Sequence, residues 1–284
     1  MLNNNEKFIG CDKTYEEADI VIIGAPFDST TSFRPGARFG PKAIRCLSDG
    51  LETYSPGLHR DLTEENIFDA GDIELPIGDT EKTLKKIEEK ITKIIVDEKF
   101  PLLLGGEHLV TLGAVRALAK KHPDLHIIHF DAHADLREEY LGVKMSHASV
   151  IRRCWDLLGD GRIYQFGIRS GEREEFEWSK EGHTEIKMFN FQDLIEIVED
   201  LRGKPIYLTI DLDILDPSVF PGTGTPEAGG VGYVELLREV REVIGRSYLV
   251  GCDMVELAPT IDPSEMSTMV AGKLLREILL SVNN

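Results

Sequence analysis

The chain has 284 residues, 42% of them hydrophobic, and a net charge of −18 from 32 basic and 50 acidic side chains. That length and apolar content suffice for a large core, while so acidic a surface repels nucleic acid and anionic membranes and argues against both as partners. No apolar run approaches the roughly 18 residues of a membrane span, and the N-terminal MLNNNEKF has no leader-like apolar stretch.

Taken in chain order, the first apolar run, residues 18–25 (ADIVIIGA), predicts a strand, and a second follows at 67–70. Residues 80–98 place Leu84, Ile87, Ile91, Ile94 and Ile95 at helical spacing. Strands are then predicted at 100–104 (FPLLL), 125–130 (LHIIHF), 162–168 (RIYQFGI), 186–189, 205–210 (PIYLTI) and 248–255 (YLVGCDMV). Between and after them, helices are predicted at 109–120, 147–158, 191–201, 233–244 and 263–282. Several of the apolar runs are near-continuous, as strands covered on both faces require. Strand–helix alternation predicts an α/β domain with a parallel sheet between helical layers. No Ser/Gly-rich linker, repeat or low-complexity tract interrupts the pattern, so residues 1–284 read as one domain. Cys11, Cys46, Cys154 and Cys252 are far apart with no CxxC pair, which argues against a zinc ribbon or a disulfide framework and fits reduced thiols in the cytoplasm.

Ligands in such open sheets bind beyond the carboxyl ends of the strands, and polar residues cluster there. FPLLL is followed by Gly105-Gly106-Glu107-His108, LHIIHF by Asp131-Ala132-His133-Ala134-Asp135, PIYLTI by Asp211-Leu212-Asp213, and the last strand by Glu256. In extended chain alternate side chains share a face. Asp131, His133 and Asp135 can therefore meet at one point, as can Asp211 and Asp213. One such motif alone is equally compatible with strand-end hydrogen bonding, and Gly-Gly with a plain tight turn. Three motifs, all after predicted strands, favour a shared site. Four carboxylates packed without cations repel one another and raise each other's pKa values; two divalent cations balance them. Oxygen-rich ligation with two imidazoles and no thiolate suits Mn²⁺ better than structural Zn²⁺.

These residues resemble the ureohydrolase family, which includes arginase, agmatinase, guanidinobutyrase and formimidoylglutamase. GGEH, DAHAD and DLDILDP are similar to its three metal-ligand motifs, SFRPGARFGPKAIR (residues 32–45) to a segment of the agmatinase branch, and PGTGTPEAGG and DMVELAP match in order and spacing. The resemblance spans essentially the whole chain. It implies a three-layer α/β/α sandwich around a parallel sheet of about eight strands. It also implies one metal on His108, Asp131, Asp135 and Asp211 and another on Asp131, His133, Asp211 and Asp213, with Asp131 and Asp211 bridging. A hydroxide between two Mn²⁺ ions would then attack a guanidinium carbon and release urea and a primary amine.

The same resemblance makes His147 the proton shuttle, histidine being the side chain that titrates near neutrality, although Ala148 stands where many relatives have glycine. Glu256 becomes the guanidinium anchor, its carboxylate matching the planar donor fork, and Asp213 a further catalytic group. A homo-oligomer, trimer or hexamer, is implied as well. Arg34 and Arg38 read either as part of an active-site rim or as a solvated basic turn. Gly222-Thr223-Gly224-Thr225 lacks the GK[ST] of a phosphate loop and reads as a rim segment. His129 reads as packing or as support for Asp131, and His59 and His183 as possible entrance residues.

After DAHAD the Asn/Ser-rich pattern of arginases is absent, which disfavours arginine itself. Glu138, with Glu139, would suit the distal ammonium of agmatine, whereas Arg137 would suit the carboxylate of 4-guanidinobutyrate, another guanidino acid or formimidoylglutamate. Agmatine ranks first. Two rivals have different signatures: a zinc deacetylase needs one metal and no second carboxylate pair, and an inactive metal-binding relative would lack a key residue.

Overall fold

The computed structural model describes residues 7–282; residues 1–6, part of the stretch read above for a leader, and 283–284 lie outside the described residues. Strand β1 (Ile20–Ala25) shows why the apolar runs are unbroken. Ile20 and Ile22 pack into one core, Val21 and Ile23 into a second on the opposite face. The same division separates Leu102 and Leu104 from Leu103, and Ile128 and Phe130 from Ile127. Each such side chain, moved wholly out of water, contributes about 2 kcal/mol.

The other strands of the sheet are β2 (Ile67–Asp72), β3 (Phe100–Gly105), β4 (His126–Phe130), β5 (Ile163–Ile168), β6 (Glu185–Met188), β7 (Pro205–Asp211) and β8 (Tyr248–Val255). They pair in parallel in the order β2-β1-β3-β8-β7-β4-β5-β6. One face is covered by α1 (Gly40–Leu47), α6 (Leu194–Asp200), α7 (Tyr233–Arg246) and α8 (Met266–Val282). The other is covered by α2 (Thr80–Val96), α3 (Val110–Lys121), α4 (Val150–Leu158) and α5 (Arg173–Trp178). This is the expected three-layer α/β/α sandwich with an eight-stranded parallel sheet among the described residues.

Each of the eight apolar runs forms a strand of this sheet. Helix α2 starts where the Asp79 carboxylate accepts the Lys82 backbone N–H at 3.0 Å, and its five anticipated apolar residues are all buried. The expected helix at 263–282 begins later, because the Asp262 carboxylate accepts the Ser264 and Ser267 backbone N–H groups and makes residues 262–265 a cap. The expected start at 147 is a single 3-10 turn, His147–Ser149, ahead of α4. Helices α1 and α5 went unread: they have 8 and 6 residues, too few turns to show an apolar period.

Register decides where the site falls. Leu104, Met254, Ile210 and Phe130 lie in one row across β3, β8, β7 and β4. Asp211 pairs with Val255 in the next row, and Asp131, Glu256 and the Gly105–His108 segment emerge beside it. Residues distant in sequence thus leave the sheet at one edge. Among the described residues, no helix is long and apolar enough to cross a membrane.

Candidate metal centre and active site

The turn after β3 is built for close approach. A Cβ at Gly106 would lie 1.8 Å from the Phe27 carbonyl oxygen, and one at Gly105 2.4 Å from Val255 Cγ1, so only glycine fits. The Glu256 N–H donates to the Gly106 carbonyl at 2.9 Å. Glu256 itself has φ +64° and Asp135 φ +54°, the left-handed region that costs a side-chain-bearing residue free energy and concentrates at functional sites. In both, the twist turns a carboxylate back over the sheet edge.

His108 is 1% exposed. Its Nε2 lies 2.9 Å from Thr209 Oγ1. Thr209, Thr111 and Tyr207 each donate a hydroxyl to the buried Asp253 carboxylate at 2.7 Å. With its proton spent there, Thr209 accepts from His108 Nε2–H, so that in the neutral ring Nδ1 is a bare lone pair. That Nδ1 is buried and hydrogen-bonds to nothing, yet Asp131, Asp135 and Asp211 each place an Oδ2 within 3.1–3.3 Å of it. A lone pair ringed by three carboxylate oxygens is repulsive unless a proton or a metal cation stands among them, and four carboxylates with two imidazoles exceed what one proton can balance, so these residues fit a metal.

Asp131 spans two groups. Its Oδ2 faces His108, while its Oδ1 accepts the His133 backbone N–H at 2.6 Å and lies 3.5 Å from His133 Nδ1. His133 Nδ1 is 3.0 Å from Asp213 Oδ2. Asp131, His133 and Asp213 thus form a second cluster able to hold an ion. Burial and the charge of Asp131 push Asp135 up to about 7. Burial, then Asp213 and Asp131, lift Asp211 well above the usual carboxylate range.

The convergence does not come from strand alternation. Residues 131–135 leave the sheet after Phe130, and Asp135 has left-handed φ, so His133 turns to Asp213 and Asp135 to His108. Asp211 ends β7 and caps the 3-10 turn Leu212–Ile214 by accepting the Asp213 N–H at 2.9 Å. Turns after the strands, rather than the pleat, bring the pairs together.

Strand alternation does identify the supports. Thr209 and His129 each stand two residues before a carboxylate, Asp211 and Asp131, on the same strand face. Gln165 Nε2 donates to the Ala134 carbonyl at 2.7 Å and lies 3.0 Å from His129 Nδ1. Nδ1 is therefore an acceptor, and His129 Nε2–H donates to Asp131 Oδ2 at 2.8 Å. Burial lowers the His129 pKa, and the neutral ring serves as a fixed donor that aims Asp131. Its Nε2, although near the cluster, is spent on that bond.

Above the carboxylates opens a cavity of about 220 Å³ lined by residues that include His108, His133, Asp135, His147 and Glu256. Glu256 Oε1 accepts the His108 N–H at 2.8 Å; burial, then the charge of Glu107, raises its pKa well above normal. His147 is pulled down to about 4 by burial and the charge of His133, so the ring is a neutral proton acceptor. Its backbone N–H donates to Thr30 Oγ1 at 3.0 Å.

The outer wall differs from expectation at two residues, Glu138 and Glu139, neither of which lines the cavity. Arg137 lines the cavity, lies over the Tyr140 ring at 4.6 Å, and pairs with Glu172 at 2.8 Å and, more loosely, with Glu175 at 3.7 Å. Glu138 does not line it. The exposed Glu138 carboxylate pairs instead with Lys144 at 3.2 Å, Arg152 at 3.2 Å and Arg153 at 3.6 Å, cations on its own loop and the first turn of α4 that hold it away from the cavity. The cavity-lining carboxylate near Arg137 is Glu175, and Glu227 lies 3.9 Å from His133 Nε2; neither was singled out in the sequence.

Arg34 donates to the Thr223 and Gly224 carbonyls, and Arg38 pairs with Asp28. Both clamp the loop that carries Ser32 to the cavity. Thr225 lines the cavity from the opposite segment. His59 and His183 line nothing there: His59 contacts Tyr54, and His183 stacks on Trp178.

The profile of the Arginase family matches residues 18–281. The agmatinase of Bacillus subtilis (strain 168) is 50% identical over 275 residues, which cover 96% of this chain and 95% of that protein. A Clostridium difficile protein of known crystal structure superimposes with a TM-score of 0.91 at 52% identity, covering 95% of this chain and 98% of its own. The agmatine ureohydrolase of Thermoplasma volcanium gives 0.90 at 37%, covering 98% and 94%. With its sheet order, its carboxylate–histidine clusters and these relatives, the chain belongs to the arginase family.

Proposed function

We propose that this protein is an agmatinase: a hydrolase that converts agmatine to putrescine and urea on two manganese ions. The observation that carries the reading is the bare Nδ1 of His108 among Asp131, Asp135 and Asp211, under a cavity that also holds His147 and Glu256. The agmatinase relatives support the substrate.

His108, Asp131, Asp135 and Asp211 would hold one cation, and Asp131, His133, Asp211 and Asp213 the other. The four aspartates balance two divalent charges, and the oxygen-rich donor set favours Mn²⁺. When bound, the metals supply a water acidified to near neutrality. The rest falls to the chain. Glu256, held through one oxygen by the His108 N–H, offers its other oxygen to the guanidinium and fixes the carbon above the cluster. An alkylamine leaves only as a neutral amine, so the nitrogen must gain a proton as the C–N bond breaks. His147, neutral and lining the cavity, takes the proton released by the attacking water and gives it to that nitrogen, ending as it began.

The distal ammonium of agmatine meets a wall of net negative charge. Arg137 is offset by Glu172, and Glu175 and Glu227 add two further carboxylates. A substrate ending in a carboxylate would have to displace Glu172 from Arg137. Residues 1–284 act as a single catalytic domain, in the cytoplasm, as a homo-oligomer of three or six copies, supplying a polyamine.

The deciding experiment loads metal-free protein with Mn²⁺, counts bound metal, and assays urea from agmatine, 4-guanidinobutyrate and arginine, with formamide from formimidoylglutamate. Two metals per chain and preferential urea release from agmatine are expected. Formamide release, or one tightly bound Zn²⁺ without urea release, overturns the reading.

A further inference from the structure

Glu107 is fully buried immediately before His108, and its side-chain hydrogen bonds all come from one loop. Its Oε2 accepts the Thr30 backbone N–H at 2.8 Å and faces the Thr31 hydroxyl at 3.4 Å; its Oε1 accepts the Thr30 hydroxyl. Its own backbone N–H donates to the Phe27 carbonyl at 2.7 Å, so loop and glutamate hold each other twice. Burying a carboxylate this way is costly unless its partners are well placed. Packing alone would be served better by an apolar side chain.

The hydroxyl that joins them reaches further. Thr30 Oγ1 lies 3.0 Å from the His147 backbone nitrogen and 3.4 Å from His147 Nδ1. A hydroxyl has one proton, and this one is given to Glu107. Toward His147 the oxygen can only accept. The contact with Nδ1 is therefore favourable when Nδ1 carries the ring proton, which leaves Nε2 with its lone pair. Nε2 is on the cavity side, 3.4 Å from the hydroxyl of Ser32, itself a cavity residue. The opposite tautomer would set the Nδ1 lone pair against the oxygen lone pairs of Thr30.

We propose that Thr30, backed by the buried carboxylate of Glu107, is a positioning residue that keeps the ring proton of His147 on Nδ1 and its Nε2 open to substrate. The inference rests on the reading of His147 as the proton carrier. In the reaction Nε2 binds the proton released by the attacking water, and the positive charge gained by the ring is met through Thr30 Oγ1 by the Glu107 carboxylate. As the C–N bond breaks, Nε2 gives that proton to the leaving nitrogen, and the ring returns to its neutral Nδ1–H form. Thr30 keeps its proton and Glu107 stays ionised throughout. The arrangement resembles a carboxylate orienting a catalytic imidazole, with a hydroxyl inserted between them.

The test compares Thr30→Val, which keeps shape and deletes the hydroxyl, with Thr30→Ser, which restores it, in the wild-type and His147→Asn backgrounds. With agmatine and Mn²⁺, Thr30→Val is expected to lower kcat by about tenfold to a hundredfold, within the range of general acid–base effects. KM should stay within about twofold, and bound Mn²⁺ should be unchanged. Thr30→Ser should recover most of the loss, and Thr30→Val should cost little more once His147 is Asn. A second readout needs no turnover. Nitrogen-15 correlation spectra of the metal-free protein at pH 8.5 should show His147 protonated at Nδ1 in wild type and Thr30→Ser. In Thr30→Val the proton should shift to Nε2.

Wild-type His147 protonated at Nε2 overturns the proposal, as does a Thr30→Val loss of equal size in both backgrounds. If His147→Asn keeps full kcat, the proton-carrier reading fails and takes the catalytic part of the inference with it; the spectra still decide the tautomer.

Discussion

Asp131 and Asp211 stand on the floor of the cavity, and Arg137 and Glu138 on its rim, and the two regions are anchored differently. On the floor each charged group has a second partner behind it: His108 has Thr209 and Asp253, Asp131 has His129 and Gln165, Asp211 has the Asp213 N–H. All of these supports but the last lie on strands packed on both faces. On the rim, Arg137 and Glu138 sit on a loop and are paired by residues that face solvent, such as Glu172 and Lys144. The floor is preorganised for one reaction. The rim selects what enters and can be rebuilt without disturbing the sheet.

The sharpest way to break this contrast is at the carboxylate shared by both clusters. Asp131→Asn or Asp211→Asn should reduce urea release below detection and lower bound metal, read by elemental analysis; either variant with two metals and full turnover would falsify the shared-ligand assignment. His147→Asn should cut kcat by about a hundredfold or more while bound metal stays at the wild-type level, since the role proposed for His147 is that of proton carrier and not of ligand. One layer back, His129→Phe and Thr209→Val should weaken Mn²⁺ binding by roughly tenfold to a hundredfold, the usual cost of losing a group that orients a ligand. Titration calorimetry on metal-free protein measures this, and unchanged affinity in both would remove the distinction between floor and rim. At the rim, Glu172→Gln should leave metal binding alone and free Arg137, moving the ratio of kcat/KM for agmatine over 4-guanidinobutyrate by a fewfold toward the acid.

The smallest effect is one of pH. Asp135 is raised in the folded protein from 3.8 to about 7 by burial and by Asp131. The folded state therefore holds that proton more tightly than the unfolded chain. Its contribution to stability is fully present below about 3.8 and is lost as pH rises through about 7. Bound cations favour the ionised form, so the gap in Tm between Mn²⁺-loaded and chelator-treated protein should widen from pH 5.5 to 8. A gap that narrows over that range contradicts the cluster's electrostatics.

How much of this could be read from the chain follows the same division. His108, Asp131, His133, Asp135, Asp211 and Asp213 were legible because each follows an apolar run, and parallel strands deliver such residues to one edge. His129 and Thr209 left a weaker trace, a polar residue two positions earlier on the same strand face. Glu107 and Thr30 were not legible as a pair, because they are 77 positions apart and meet only when a loop crosses the turn after β3. The rim was the hardest part. Glu138 and Glu175 are the same residue type, and nothing local to either tells that Glu175 lines the cavity while Glu138 turns to Lys144, Arg152 and Arg153.

The row through β3, β8, β7 and β4 also bears on how the molecule is assembled. Those four neighbours in space are the third, eighth, seventh and fourth strands of the eight-stranded sheet in sequence order, and the bond from the His108 N–H to Glu256 spans 148 residues. Such pairings form slowly, since the entropy of closing long loops must be met before the contacts can repay it. The cation seats are therefore expected to form only as the central strands pair. Mn²⁺ added to refolding protein should leave the rate of sheet formation unchanged and slow only its reversal, so the ions act as a latch on the finished fold rather than as a seed for it.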